Sequence, residues 1–337
     1  QTQKLTSLAF NLLDGHRIDQ GMKLDQKNHE SHAVRKLPDA IKFFGYTFYF
    51  HGVLAGPFVF YNEYKEYITG YDDKHIPCSK KQLSSALCLS VIHGLLTAYV
   101  APQFPYIFVC STDYQRMHMT RRIMFTMISF FLVRQKYYFA WSMVEAGALS
   151  TGLGYCGKDK NGENNWSKVK NYDFMAIESG SSLKVLVDGW NISTTRWLRE
   201  LIYERAPLFC RTILVFTVSA FWHGFYPGYY LMFLTFSLST FCARSVRKHI
   251  RPLFVVSPIT LQLYHVLTKI FTNLALNYGQ GPFYLLEFQS GLLFWKPYYF
   301  FGHVLAMFCV LTLQFRPIIN DKVNQMNNVF TRKAQYR

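Results

Sequence analysis

The chain has 337 residues, 50% of them apolar, 18% aromatic and only 17% charged. That excludes a disordered chain, which is poor in aromatics and rich in charge, and it excludes collagen-like and coiled-coil compositions. The formal charge of +16 points to an anionic partner, but no zinc-finger, helix-turn-helix or RNA-binding pattern accompanies it, so no nucleic acid is expected.

A bilayer core needs about 20 mostly apolar residues per helix. In chain order the candidate spans are 41–61, 83–109, 123–149, 208–225, 229–243, 257–278 and 298–315. The first is interrupted by Gly52, Ala55, Gly56 and Pro57, and the second by Pro102 and Pro105. Arg134, Gln135 and Lys136 interrupt the third and can split it in two. We therefore expect seven or eight spans, with broken helices enclosing a cavity, because irregular backbone at membrane depth needs protein or cavity water to satisfy it. Basic residues flank these blocks, as they flank membrane spans. Segments 114–122 and 244–251 read as cytoplasmic, but charge counting does not fix the topology.

The polar blocks are 1–38, 62–82, 155–206 and 316–337. Within the third, 154–165 is rich in Gly, Asn and Asp and reads as a loop. Residues 193–205 follow as an amphipathic helix, with Trp197, Leu198, Leu201 and Ile202 on one face and Pro207 as its stop. It suits the membrane interface. Seven scattered cysteines without a C-x-x-C pair support neither a zinc site nor a disulfide framework. The chain starts at Gln1 and shows no signal-peptide pattern; we expect a piece of a longer protein, organised as one domain over 1–337.

Histidines 51, 93, 223 and 303 lie inside apolar blocks, and His265 near the end of one. An ionisable residue within a span is a functional candidate because its burial is costly, yet most of five must be structural. His223 stands out through its setting, Ser219-Ala-Phe-Trp-His-Gly-Phe-Tyr-Pro-Gly-Tyr-Tyr230. Gly224 permits close backbone approach. Pro227-Gly228 breaks the helix, and Trp222, Phe225, Tyr226 and Tyr229 can wall a dry pocket in which a neutral imidazole acts as a base. The second unusual element is Asp188-Gly-Trp-Asn-Ile-Ser-Thr-Thr-Arg-Trp197. Asn191 is a helix-cap candidate and also lies in a formal glycosylation sequon, as does Asn165. Capping and chemistry remain equally open on the residues alone.

Together, Trp190-Asn-Ile-x-Thr-x-x-Trp-Leu198 and the Trp222-His-Gly motif about 30 residues later resemble the membrane-bound O-acyltransferase family, in particular its lysophospholipid acyltransferase branch. Residues 50–68 resemble that branch's Ala-Gly-Pro…Tyr segment, and the resemblance covers roughly residues 40–250. It implies an all-α, polytopic transmembrane fold with an internal chamber or tunnel, in the endoplasmic reticulum membrane. It also implies that His223 and Asn191 are the catalytic pair and face that chamber. By position, Trp190, Thr195, Trp197, Trp222, Gly224, Tyr226 and Tyr229 are pocket candidates. Lys184, Arg196, Arg199 and Arg205 are candidates for the phosphates of CoA, against the reading that they touch lipid headgroups.

The implied reaction moves an acyl group from acyl-CoA to the free hydroxyl of a lysophospholipid. His223 would take the hydroxyl proton, and Asn191 would position the acceptor or donate to the oxyanion. The scheme needs no metal and no cofactor beyond acyl-CoA as co-substrate. Its partners are acyl-CoA, lysophospholipid and membrane lipid; a homo-oligomer is compatible with it. The alternatives are a family branch acting on a sterol, diacylglycerol or protein, from whose Phe-Tyr-x-Asp-Trp-Trp-Asn element residues 186–191 depart, and a multi-span transporter.

Overall fold

Tertiary structure was described from a computed structural model covering residues 1–53, 55–70 and 76–314. The polar block 316–337 and Phe315 lie outside the described residues. The helices are α1 (Thr2–Asp19), α2 (Lys27–His32), α3 (Ala40–Phe48), α4 (Tyr61–Thr69), α5 (Lys80–Leu95), α6 (Thr112–Arg116), α7 (Met119–Ser150) and α8 (Phe174–Glu178). They continue as α9 (Leu183–Gly189), α10 (Ile192–Leu198), α11 (Arg211–His223), α12 (Pro227–His249), α13 (Arg251–Phe254), α14 (Pro258–Leu285), α15 (Phe288–Trp295) and α16 (Phe301–Gln314). Among the described residues there is no strand, only the isolated bridges Lys158–Asn164 and Tyr172–Trp190. The all-α class expected from the sequence is therefore observed.

The chain forms two compact units. The first comprises Gln1–Tyr106, Ile128–Phe174 and Asp188–Trp222; the second comprises Ile107–Met127, Met175–Val187 and the chain from His223. In the first unit, α1 buries Lys4, Ser7, Leu8, Asn11 and Asp14. Leu8 joins Val34, Tyr46, Tyr49, Val59, Tyr61, Tyr64, Ala148, Leu153 and Val169 in one apolar core. Two tyrosine hydroxyls hold the interrupted 41–61 block: Tyr46 donates to the Val59 carbonyl at 2.9 Å and Tyr49 to the Pro57 carbonyl at 3.0 Å. That block is not one helix. α3 ends at Phe48, a short turn covers Phe50–Gly52, and residues 55–60 lie in no helix before α4, as the glycines and Pro57 dictate.

The 123–149 block does not split. α7 is one helix of 32 residues, about 48 Å long at 1.5 Å per residue. Arg134 and Gln135 are turned fully inward, and Gln135 Oε1 meets His93 Nδ1 at 2.8 Å. In the second unit α12 packs on α14 and α16, and α14 on α15. Pro227 is the first residue of α12, where its missing N–H costs nothing.

By length and composition, one helical stretch among the described residues can cross a membrane: Lys80–Cys110, with mean hydropathy 1.7 and 17% of its most apolar window buried. A second is the pair Phe288–Tyr298 and Phe301–Leu313, bent by 77°. Seven or eight such helices are not reached among the described residues. α3 has 9 residues and α11 has 13. α7 carries Arg134, Lys136 and Glu145, and α14 carries Asn273, Asn277 and Gln280, which dilute the apolar windows that define a simple span.

Candidate active site

Asn191 occupies the position before α10 with φ 47° and ψ 58°, the left-handed region that Asn tolerates better than other side chains. Its backbone carbonyl accepts from the Thr195 amide at 2.9 Å, but its side chain makes no capping bond. The cap comes from elsewhere. Asn171 Oδ1 accepts from the Ser193 amide at 3.0 Å and the Ser193 hydroxyl at 2.7 Å, and the Asn171 carbonyl accepts from the Ile192 amide at 2.9 Å. The two segments pair further through the Asp173 amide, which donates to the Gly189 carbonyl at 2.9 Å, and through the Tyr172–Trp190 bridge. The ambiguity left by the sequence is resolved: Asn191 stands at the cap position, Asn171 does the capping, and the half-buried Asn191 amide is not spent on the helix.

Trp190 fixes the approach to Asn191. Its ring meets Trp141 edge-on at 5.0 Å, Tyr137 at 5.6 Å and Tyr138 at 6.1 Å, all on α7. Thr195 donates its hydroxyl to the Trp190 carbonyl at 3.2 Å. Trp197, Leu198 and Leu201 are buried with Phe58 and Phe60, and Ile202, Val215, Val218 and Trp222 pack around them. The apolar face read from the sequence is thus a core face, and the helix ends as a π-type turn over Arg199–Tyr203. Trp197 donates Nε1 to the Thr6 hydroxyl at 3.0 Å and lies 6.3 Å from Trp222, which gives both rings packing duties.

The three arginines of this region are paired. Arg196 meets Glu63, Arg199 meets Asp188 at 3.2 Å, and Arg205 makes a fork to both oxygens of the fully buried Asp14. Cavities lie among the described residues of this unit. One of about 550 Å³ lies beside Phe10, Asp14, His29 and Glu204, and one of about 400 Å³ lies beside Glu63, Lys168, Lys170, Ser193 and Arg196. Neither is lined by Asn191.

His223, Gly224, Tyr226, Tyr229 and Lys184 belong to the second unit. His223 ends α11. Its half-buried ring stacks on Phe233 with centroids 5.4 Å apart, meets Phe283 edge-on at 5.0 Å and lies 5.5 Å from Tyr229. Gly224 takes φ 126°, a conformation other residues avoid, so it is the turn rather than a close approach that requires glycine there. The close approach falls on Gly228, where a Cβ would stand 2.2 Å from the Pro282 carbonyl oxygen. Phe225 and Tyr226 are largely exposed. Phe233 and Phe283 also pack on the imidazole, and the sequence reading missed both. Phe233 sits one helical turn after Tyr229 and could have been found by that spacing; Phe283 lies on another helix and could not.

Three of the other candidate histidines are occupied. His93 Nδ1 faces Gln135, and its Nε2 faces the Tyr172 hydroxyl at 3.3 Å. His303 Nδ1 meets the Tyr278 hydroxyl at 2.6 Å, and its Nε2 the Thr235 hydroxyl at 3.0 Å. His51 Nε2 meets the Thr151 hydroxyl at 2.8 Å.

The sequence model of the MBOAT, membrane-bound O-acyltransferase family matches residues 2–278. The chain belongs to that family, whose members are membrane proteins. It is 34% identical over 331 residues to a Drosophila melanogaster protein named lysophospholipid acyltransferase 6, covering 93% of this chain and 45% of that protein. It is 35% identical over 333 residues to human membrane-bound glycerophospholipid O-acyltransferase 2, with 93% and 63% covered. Against human membrane-bound glycerophospholipid O-acyltransferase 1 it is 32% identical over 359 residues, with 99% and 70% covered. The chain thus spans between about half and two thirds of the length of these relatives.

Proposed function

We propose that this chain is the acyl-transferring part of an acyl-CoA-dependent lysophospholipid O-acyltransferase, a multi-pass enzyme of the endoplasmic reticulum membrane that remodels phospholipids. Family membership and the names of the relatives support the reaction class. The observation that carries the residue assignment is the uncommitted amide of Asn191, held in a left-handed turn while Asn171 caps the helix.

In this reading 1–337 works as a single domain. His223 Nε2 or Nδ1 accepts the proton of the lysophospholipid hydroxyl as its oxygen attacks the thioester carbonyl. The oxygen–acyl bond forms, the carbon–sulfur bond breaks, and the proton passes to the departing thiolate of CoA. Such base catalysis contributes about 10²–10⁴-fold. Asn191 donates to the oxyanion or orients the acceptor, an effect of about 2.7–4 kcal/mol for one well-placed donor. Tyr229, Phe233 and Phe283 keep water from the imidazole. Lys184 and Arg199 are exposed and can reach the CoA phosphates, although Arg199, like Arg196 and Arg205, is paired with a carboxylate.

The test is acyl transfer from labelled acyl-CoA to a panel of lysophospholipids in membranes expressing the protein, normalised to folded protein. His223→Ala should lower turnover by at least about 10²-fold. His93→Ala and His303→Ala, which lose two hydrogen-bond partners each, should lower thermal stability more than turnover per folded molecule. Wild-type turnover in His223→Ala would sink the assignment.

A further inference from the structure

The end of α14 carries a strained residue that the acyl-transfer scheme does not use. Leu286, which follows the helix, takes φ 66° and ψ −44°. The Glu287 amide donates back to the Leu285 carbonyl at 2.7 Å. The bend into α15 is therefore a γ-turn centred on Leu286, in the rare form that strains an L residue. Such a conformation persists only where the surroundings over-determine it. The Leu286 amide donates to the Pro282 carbonyl at 2.9 Å. Pro282 lies inside α14 and has no N–H to offer the Tyr278 carbonyl, so the Trp295 indole of α15 donates to that carbonyl instead, at 2.9 Å. The Leu286 carbonyl accepts from the Gly228 amide at 2.6 Å.

That last bond leads to the imidazole. α12 begins at Pro227, and its N-cap residue Tyr226 makes no side-chain capping bond. A helix start leaves amides in need of partners, and the amide of Gly228 finds its partner in Leu286. The seat is tight, since a Cβ on Gly228 would run into the Pro282 and Leu286 carbonyls. Only Gly224, Phe225 and Tyr226 separate His223 from α12. The same turn of α14 also carries Phe283, which meets His223 edge-on at 5.0 Å and lies 4.9 Å from Tyr229. The stretch Pro282–Leu286 thus acts on His223 by two routes, directly through the Phe283 ring and indirectly through the start of α12.

We infer that Leu286 is a positioning residue for acyl transfer, acting through its backbone: the strained turn aims the Leu286 carbonyl at Gly228 and so fixes the start of α12 beside His223. This rests on the assignment of His223 as the base. The role differs from that of an apolar contact in what it demands of the side chain. A turn held at positive φ needs a residue that tolerates that conformation, whatever its size. A packing contact needs a side chain of leucine's volume, whatever its backbone preference.

The experiment compares wild type, Leu286→Gly, Leu286→Ile and Gly228→Ala in membranes, measuring kcat per folded molecule, KM for acyl-CoA, and amide exchange of peptides covering 226–232. Glycine enters the positive-φ region freely, whereas a β-branched residue is an outlier there. Leu286→Ile keeps the volume of leucine, yet it should lower kcat by about 10- to 100-fold, the cost of a small misplacement of a reacting group. KM should stay within about twofold, because the placement of the base acts on the transition state. Leu286→Gly loses the side chain but keeps the turn and its carbonyl, so its kcat should stay within about threefold of wild type. Gly228→Ala should behave like Leu286→Ile. Exchange at 226–232 should be fast in those two variants and slow in wild type and Leu286→Gly. The reverse order, with Leu286→Ile like wild type and Leu286→Gly impaired, overturns the positioning role, and so does a loss of kcat in Leu286→Ile with exchange unchanged. The two Leu286 variants carry the test even if Gly228→Ala folds poorly. Exchange does not depend on catalysis. A His223→Ala protein with wild-type turnover would therefore sink the base assignment, while the exchange data still report whether the turn holds α12.

Discussion

Replacing Asn191 tests two things at once unless the substitutions are chosen to part them. At φ 47° an L residue other than Asn, Asp or Gly pays roughly 1–2 kcal/mol for the left-handed conformation. Asn191→Ala therefore loses stability through the backbone as well as the amide. Asn191→Gly loses the amide alone, because glycine enters that region freely. If the amide stabilises developing charge, both variants should lose about 10²–10³-fold in kcat, the equivalent of about 2.7–4 kcal/mol. Only Asn191→Ala should also melt earlier, by about 1–2 kcal/mol. Asn191→Asp keeps the turn and the shape but has no N–H to donate, so it separates donation from acceptance. The assay is turnover per folded molecule, with thermal unfolding of the purified protein in detergent beside it. Near-wild-type kcat in Asn191→Gly, with a melting loss confined to Asn191→Ala, would mean that Asn191 is there for its backbone, and the catalytic reading would fall.

Asn171→Ala should destabilise the protein by about 2 kcal/mol, the loss of a strong helix cap with a buried amide left unsatisfied, and should lower turnover as well; Asn171→Asp, which still accepts from Ser193, should recover most of both, and an equal loss in the two variants would refute the capping role. Lys4 is buried against Tyr49, 3.8 Å from the ring centroid, and donates to the Thr47 carbonyl at 2.9 Å; burial lowers its pKa to about 8. The unfolded chain then binds more protons than the folded one between pH 8 and 10.5, so stability gained from this group rises with pH across that window and is lost as pH falls through it. Wild type minus Lys4→Met should show that slope, of order 3 kcal/mol in total, in unfolding midpoints taken from pH 7.5 to 10.5, and a flat difference would refute it.

The helical class and the apolar face of α10 were legible because periodicity reports burial directly. Trp197, Leu198 and Leu201 face the core in the order their spacing demands. What the sequence could not show were contacts made over long separations. Asn171 lies 22 residues before the serine it caps, and nothing in 165–175 marks it as a cap, since its helix is elsewhere. Phe283 reaches His223 across 60 positions. Arg196 and Arg205 look free in sequence because their partners Glu63 and Asp14 lie more than 130 residues away. The interruption of α7 was misjudged for a related reason: Arg134 and Gln135 break an apolar block but not a helix, since both are good helix formers and a buried face can satisfy them.

These distant contacts share a consequence for where function can sit. A local sequence normally agrees with its local structure, and departures gather at sites the rest of the protein must hold in place. The stretch from Trp190 to Glu204 departs three times: a left-handed Asn at its start, a cap borrowed from Asn171, and a π-type turn at its end. Each departure is held from outside, by the α7 aromatics around Trp190, by Asn171 at Ser193 and by the α2 histidines at Glu200 and Glu204. A helix kept only for packing would need none of these, since its own Asn191 could cap it in the ordinary conformation. The arrangement keeps the Asn191 amide away from its own helix, held there by residues that are distant from it in sequence.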